Sequence, residues 1–179
     1  MLNFFSLQCD LTSFSRIGFL GSFLLYGLSW VYPVQAQVSI DGTTLSSISG
    51  TCSSFCTIDG MPTGQNLLHS FSDFSLPTGT VTFSNPTSVN NLLIRVTGET
   101  SSYINGTINF PNFQNIFFLN PNGITFGSSS LLNFQGSFTA STRTEVNLTD
   151  GTTFLATGTP LLTMSVAPGL QDGSNAAPI

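Results

Sequence analysis

The sequence predicts an all-β fold, and three observations carry that expectation. Charged residues make up 6% of the 179-residue chain, against about 25% in an ordinary globular protein. There is no lysine, the only basic residues are Arg16, Arg95 and Arg143, and Gly, Ser, Thr, Asn and Phe fill the space. A helical protein solvates its outer faces with Glu, Lys and Arg. Short strands with Ser, Thr and Asn outward and Phe, Leu and Ile inward need few charges. Finally, short apolar runs recur between Gly, Asn, Ser and Pro turn signals, and no stretch holds a helical period over three turns.

Taken in order, the first element is an address and not part of the fold. After a polar lead containing Arg16, residues Ile17 to Tyr32 are almost wholly apolar, and Pro33-Val34-Gln35-Ala36-Gln37 follows with small residues at cleavage positions. The run of about 16 residues is short for a membrane span of roughly 20. Residues 1–36 therefore read as a signal peptide cut between Ala36 and Gln37. Cys9 leaves with it, and 179 − 36 = 143 residues remain as one domain, 37–179.

Strand-like runs then follow at Val38–Ile40, Cys56–Asp59, Leu67–Phe74, Val81–Ser84 and Leu92–Val96. Further runs occupy Ile104–Phe110, Ile116–Asn120, Ile124–Phe126, Leu131–Phe134, Ser137–Ala140, Val146–Leu148, Thr153–Ala156 and Leu161–Val166. So many short strands suit a sandwich, a barrel or a β-helix, and periodicity does not choose among them. Asn105-Gly106 and Asn122-Gly123 suit hairpins, while short strands separated by single turns suit stacked coils around a column of Phe, Leu, Ile and Val. Cys52 and Cys56 remain after cleavage, and in an exported protein such a pair reads as a disulfide stapling a small loop. A zinc site needs about four ligands, and His69 is the only histidine. Net charge is −5 with no basic patch, which argues against nucleic acid as a partner.

The most informative segment is Phe117-Phe118-Leu119-Asn120-Pro121-Asn122-Gly123-Ile124-Thr125-Phe126-Gly127. Pro at the first corner, Asn at the second and Gly after it suit a type I turn followed by a left-handed residue. With it stand Gly64 to Phe74 (an Asn-Leu/His-Ser-Phe string), Asn90 to Gly98 (ending Arg-Val-Thr-Gly), Leu132 to Thr142, and the tail blocks Pro160–Val166 and Gly169–Gln171. In this order and spacing the blocks resemble the N-terminal secretion domain of filamentous haemagglutinin-type exoproteins, over most of 58–179. These proteins leave Gram-negative cells by two-partner secretion.

The resemblance implies a right-handed parallel β-helix with a β-rich N-terminal cap. It also implies export through the periplasm to the cell surface or medium, with an outer-membrane β-barrel transporter as partner, recognised through that transporter's periplasmic modules. Asn120, Pro121, Asn122, Gly123 and Ile124 are then the block expected to be needed for export, either in recognition or by shaping a turn that folding needs. The second Asn-Pro-Asn-Leu motif of some members is absent: Ser84-Asn85-Pro86-Thr87 and Asn90-Asn91-Leu92 stand there instead. Family members usually continue into a long repetitive body. The chain stops at Ile179, where that body should begin, so truncated frame, fragment and minimal exported domain all remain open.

Two other functions compete. Haemagglutination in the family implies possible surface glycans as ligands, and a Ser/Thr/Asn-rich surface with aromatic residues suits them. An enzyme would need paired carboxylates or a bound metal, yet Asp41, Asp59, Asp73, Glu99, Glu145, Asp150 and Asp172 are scattered. No nucleophile-elbow glycines surround Ser70, so His69 reads as structural. No catalytic residue, metal or cofactor is expected. Glu99 and Glu145 are the acids nearest in sequence to Arg95 and Arg143, and the sequence does not show whether either pair forms.

Overall fold

The computed structural model describes residues 36–85, 89–148, 153–158 and 168–170. The apolar run 17–32 and the run 161–166 lie outside them, as does all of the expected signal peptide before Ala36. The cap comes first, as β1 (Gln37–Ile40) and β2 (Ser47–Thr51). The coils follow as β3 (Phe55–Asp59) and β4 (Asn66–Ser75), then β5 (Thr80–Phe83), β6 (Asn91–Val96) and β7 (Ser102–Ile104). Next come β8 (Thr107–Phe110), β9 (Asn115–Leu119) and β10 (Ile124–Phe126), and then β11 (Leu131–Phe134) and β12 (Ser137–Ser141). An outer sheet completes the described structure with β13 (Glu145–Leu148), β14 (Thr153–Leu155) and β15 (Pro168–Leu170).

Pairing decides among the alternatives that periodicity leaves open. The first sheet runs β1-β4-β6-β9-β12 and the second β2-β3-β5-β8-β11. A third pairs β7 with β10 and is extended by a parallel bridge from Leu76 to Ile104. From β3 onward every pairing in these three sheets is parallel. The fold is a right-handed parallel β-helix of about four turns. Only β1 on β4 and β2 on β3 run antiparallel, and these two form the cap over the first coil. Cys52 and Cys56 are disulfide-bonded across the β2–β3 turn, with Cα atoms 4.6 Å apart.

Strand alternation sorts each coil into an inner and an outer face. In the first sheet Leu67, Phe71, Leu92, Ile94, Val96, Ile116 and Phe118 enter the core of the coil. Leu68, Leu93, Phe117 and Leu119 point the other way and pack with Val146, Phe154 and Ala156 of the outer-sheet region. The first sheet is therefore buried on both faces, and its near-continuous apolar runs follow from that. Inside, Phe74, Phe83 and Phe110 form a stacked column, with ring centroids 6.2 Å and 5.3 Å apart, and Phe138 continues it at 5.7 Å. Burying each such ring stabilises by about 1.5–3 kcal/mol.

Polar side chains hold the register. Asn91 donates to Asn66 at 2.8 Å, Asn115 donates to Asn91 at 2.9 Å, and Ser137 donates to Asn115 at 3.0 Å. Their separations of 25, 24 and 22 residues are the lengths of successive coils. A second ladder on the opposite sheet runs from Asn133 to Asn109 (2.7 Å) and from Asn109 to Thr82 (3.1 Å). A one-residue slip would break these chains and turn every inner side chain outward.

Three strands depart from the sequence reading. Ile104–Phe110 is two strands, β7 and β8, with Asn105-Gly106 as the corner between them and not a hairpin. Asn105 donates to the Pro77 carbonyl and accepts from the Ser129 N–H, so it ties three coils together. β2 was not expected because Ser47–Thr51 has a single large apolar residue, Ile48; pairing with β3 creates it. β15 was not expected either, since Pro168-Gly169 discourages a strand; it forms by pairing with β13 at the edge of the outer sheet.

Candidate functional site

Three of the sequence blocks meet at one corner of the coil. The parallel register sets Ser70 beside Arg95 and Arg95 beside Leu119, so the chain leaves the first sheet at matching points on successive turns. At the first of these corners the Thr97 N–H donates to the Phe71 carbonyl at 2.7 Å. A Cβ at Gly98 would lie 2.1 Å from the Ser72 carbonyl oxygen, which explains why the Arg-Val-Thr-Gly block ends in glycine.

Asn120-Pro121-Asn122-Gly123 forms the next corner. The Gly123 N–H donates to the Asn120 carbonyl at 3.1 Å, and the Asn122 N–H donates to Asn120 Oδ1 at 3.0 Å. Gly123 adopts φ 116°, a conformation that only glycine reaches without strain. The Asn120 amide nitrogen donates to the Thr100 carbonyl (3.0 Å) and to Ser102 Oγ (2.9 Å) on the previous turn. Asn122 Nδ2 donates to the Gly98 carbonyl at 2.7 Å. Asn120 and Ile124 are wholly buried, whereas Pro121 is half-buried and Asn122 is exposed. One part of the block is thus a staple between turns, and the other faces solvent.

Arg95 lies one residue step from this corner, on the outer face of the first sheet, and is fully buried. Its Nε donates to Ser70 Oγ at 2.6 Å, and Ser70 donates to Asp41. The guanidinium also donates to Thr43 Oγ1 (2.9 Å), to the Leu155 carbonyl (2.8 Å) and to the Gly158 carbonyl. Its Cζ stands 5.6 Å from the centroid of the Phe154 ring. One side chain therefore joins the cap loop after β1, the first sheet, and the segment around β14. The acid facing it is Asp41 of the cap, not Glu99: strand alternation puts Arg95 outward beside the Ser70–Asp41 bond, while Glu99 lies beyond the corner. Burial pulls the Arg95 pKa down and Asp41 opposes that shift. Burial also acts to raise the Asp41 carboxyl, but bonds from Ser70, Thr43 and Thr97 outweigh it and hold the group below its ordinary value.

His69 lies on the inner face of β4 and is completely buried. Nδ1 shares a 2.8 Å hydrogen bond with Ser46 Oγ of the cap, and the ring sits 5.3 Å from Phe83. Nε2 has no hydrogen-bond partner among the described residues. Burial lowers its pKa to about 4, against a smaller upward pull from Asp59. It is a neutral core residue. Ser70 points to the opposite face, so the two form no catalytic pair.

The asparagine ladder was the piece that sequence reasoning missed. A signal for it existed: Asn66-Leu67, Asn91-Leu92 and Asn115-Ile116 repeat one Asn–aliphatic step at near-constant spacing.

A capped parallel β-helix, with glycine-ended corners stacked in register and a separate sheet on one flank, places the chain among β-helical domains. The family model described as the TPS secretion domain matches residues 36–179, and the chain belongs to that family. It is the N-terminal secretion domain of an exported two-partner secretion exoprotein, recognised for translocation through the periplasm to the cell surface or beyond. The family works in translocation and not in catalysis, and it pairs with an outer-membrane transporter. No curated protein matches the chain.

Proposed function

We propose that Asn120, Pro121, Asn122, Gly123 and Ile124 are needed for export chiefly because they close the corner on which the next coil stacks. The observation that carries this reading is the burial of Asn120, whose amide is committed to Thr100 and Ser102. In the folded domain that side chain faces no partner. Periplasmic modules of the transporter would instead engage the extended chain, by adding it as a strand to a sheet edge, with main-chain bonds giving affinity. Folding then follows coil by coil at the surface, each turn templated by the ladder bonds of the last.

The same proposal takes residues 1–36 as a removed signal peptide. A cut between Ala36 and Gln37 leaves all of β1 intact, and the family match begins at residue 36. N-terminal sequencing of the exported chain should return Gln37 first. Oxidation of Cys52 and Cys56 in the periplasm closes so small a ring that an extended chain still passes. Contact with surface glycans has less support. The exposed aromatics Phe55, Tyr103 and Phe134 belong to the first coil, the third sheet and the last turn, so they form no shared platform.

The test is a tagged chain in a Gram-negative host, with and without its partner transporter, scored in medium and periplasm. Release should require the transporter. Asn120→Ala should reduce release strongly and leave the released fraction protease-sensitive, while Asn122→Ala should act weakly. An Asn120→Ala chain that folds normally in isolation yet is never exported would overturn the folding role and favour direct recognition.

A further inference from the structure

The Arg95 guanidinium reaches both carboxylate oxygens of Asp41, each through one hydroxyl. Nε donates to Ser70 Oγ, which donates to Asp41 Oδ2. Nη2 donates to Thr43 Oγ1, which donates to Asp41 Oδ1 at 2.7 Å. Asp41 Oδ2 also accepts from Thr97 Oγ1 at 2.8 Å. Two backbone groups complete the attachment: the Asp41 N–H donates to the Ser70 carbonyl, and the Thr43 N–H donates to Asp41 Oδ1. A ring of hydroxyls between two opposite charges therefore latches the loop after β1 onto the first sheet. The remaining bonds of the guanidinium lead elsewhere. Nη1 donates to the Leu155 carbonyl and Nη2 to the Gly158 carbonyl, under the ring of Phe154. Its four bonds are thus divided evenly, two toward Asp41 and two toward segment 153–158.

Neither half is strong alone. A hydroxyl-spaced charge pair that faces water is weak, because water competes for each donor and screens the charges. A guanidinium buried under a phenyl ring with half its donors unmet is costly. Together they support each other. The segment around β14 excludes water and so strengthens every bond in the ring. The ring in turn brings a negative charge and two acceptors to a guanidinium that would otherwise resist burial. We infer that the cap loop and segment 153–158 close on Arg95 as one cooperative step, each holding more firmly when the other is in place. Such a linkage is reciprocal. Taken with the export reading on which this consequence rests, it makes the cap a detector of completion. The intervening coils stack one by one, while the loop at Asp41 and Thr43 stays unlatched until β14 has emerged. Arrival of the last strands is then reported back to the first.

Hydrogen exchange of the purified chain, read amide by amide, tests the linkage without a transporter, so its failure leaves the export reading standing. Phe154→Leu removes the ring over Arg95. It should speed exchange of the Asp41 and Thr43 N–H groups about fivefold or more, while β5 and β8 keep their rates. Thr43→Val cuts one hydroxyl path and should act in the other direction. It should speed the Ala156 N–H, which donates to the Thr144 carbonyl, by a similar factor. In an Arg95→Lys chain the compact ammonium cannot span both sides as the planar guanidinium does. There each substitution should act on its own side alone, and Arg95→Met gives a second uncoupled background if the lysine chain folds poorly. Effects confined to the altered side while Arg95 is present overturn the proposal. Transmission of equal size in the Arg95→Lys or Arg95→Met chain overturns it too, since the coupling would then run through other contacts.

Discussion

The inner and outer faces of the first sheet are both sealed from water, yet they are built by opposite means. Inward, Leu92, Ile94 and Val96 join a column of phenylalanines, where His69 with its bond to Ser46 is a directional contact among apolar ones. Outward, one residue along, Arg95 is just as buried but is held by four hydrogen bonds, to Ser70, Thr43, Leu155 and Gly158, by Asp41 through Ser70, and by the face of Phe154. The inner face spreads its stability over every turn. The outer face packs Leu68, Leu93, Phe117 and Leu119 against the outer-sheet region and adds one charged side chain that ties the cap to it. A buried charge of that kind adds little net stability when satisfied and costs much when one partner goes.

The largest expected effect lies on the inner face. Phe83 is fully buried between Phe74 and Phe110, so Phe83→Ala should destabilise by about 3–5 kcal/mol. Denaturant melts followed in the cap and in the last turn should shift together, because the column runs through both. Arg95→Ala should lose a comparable but slightly smaller amount, about 3–4 kcal/mol, and differently distributed. Hydrogen exchange should rise at the cap loop and around β14 well before it rises in β6, β8 or β9. Uniform exchange across all turns would remove the distinction between the faces.

Acid separates the faces by pH. His69 is neutral in the fold with its pKa lowered to about 4, from 6.5. Between those values the unfolded chain binds a proton that the folded chain refuses. Stability is therefore full above pH 6.5 and falls as pH drops toward 4, by about 3 kcal/mol at 1.36 kcal/mol per unit. Asp41 is lowered below its ordinary 3.8, so its contribution persists above that value and is lost only in stronger acid. Urea midpoints measured against pH should thus show an inner-face loss first. His69→Leu should flatten the upper window and leave the lower one.

The smallest effects lie at the corner. Asn120→Ala deprives the buried Ser102 and the Asn122 N–H of a partner and should destabilise by about 1–3 kcal/mol. Asn122→Ala, on the exposed side of the same turn, should cost about 1 kcal/mol or less. Thermal melts of the two variants measure the difference, and equal shifts would mean that the buried half of the turn has no special part.

Much of the fold was legible locally. Turn residues between short apolar runs located most of the strands, and the Asn-Pro-Asn-Gly string placed its corner correctly because Pro and Gly set backbone angles by themselves. As hairpin signals Asn105-Gly106 and Asn122-Gly123 both misled for the same reason: the dipeptide specifies a bend and says nothing of whether the next strand returns beside the last or, as β8 and β10 do, pairs on another turn. Ser47–Thr51 was invisible because its strand character comes from pairing with β3. For the site, the sequence held each block but not their meeting, since Ser70, Arg95 and Asn120 lie on different turns.

Composition by itself determined that this chain is β-rich and sparsely charged, since few charges and frequent turn residues are local properties. The tertiary structure alone decided which asparagines stack, which face Arg95 takes, and that Asp41 is the acid facing it. Those depend on register between strands a full coil apart, and register is fixed by the sum of inner-face burial and ladder bonds, which no single segment contains.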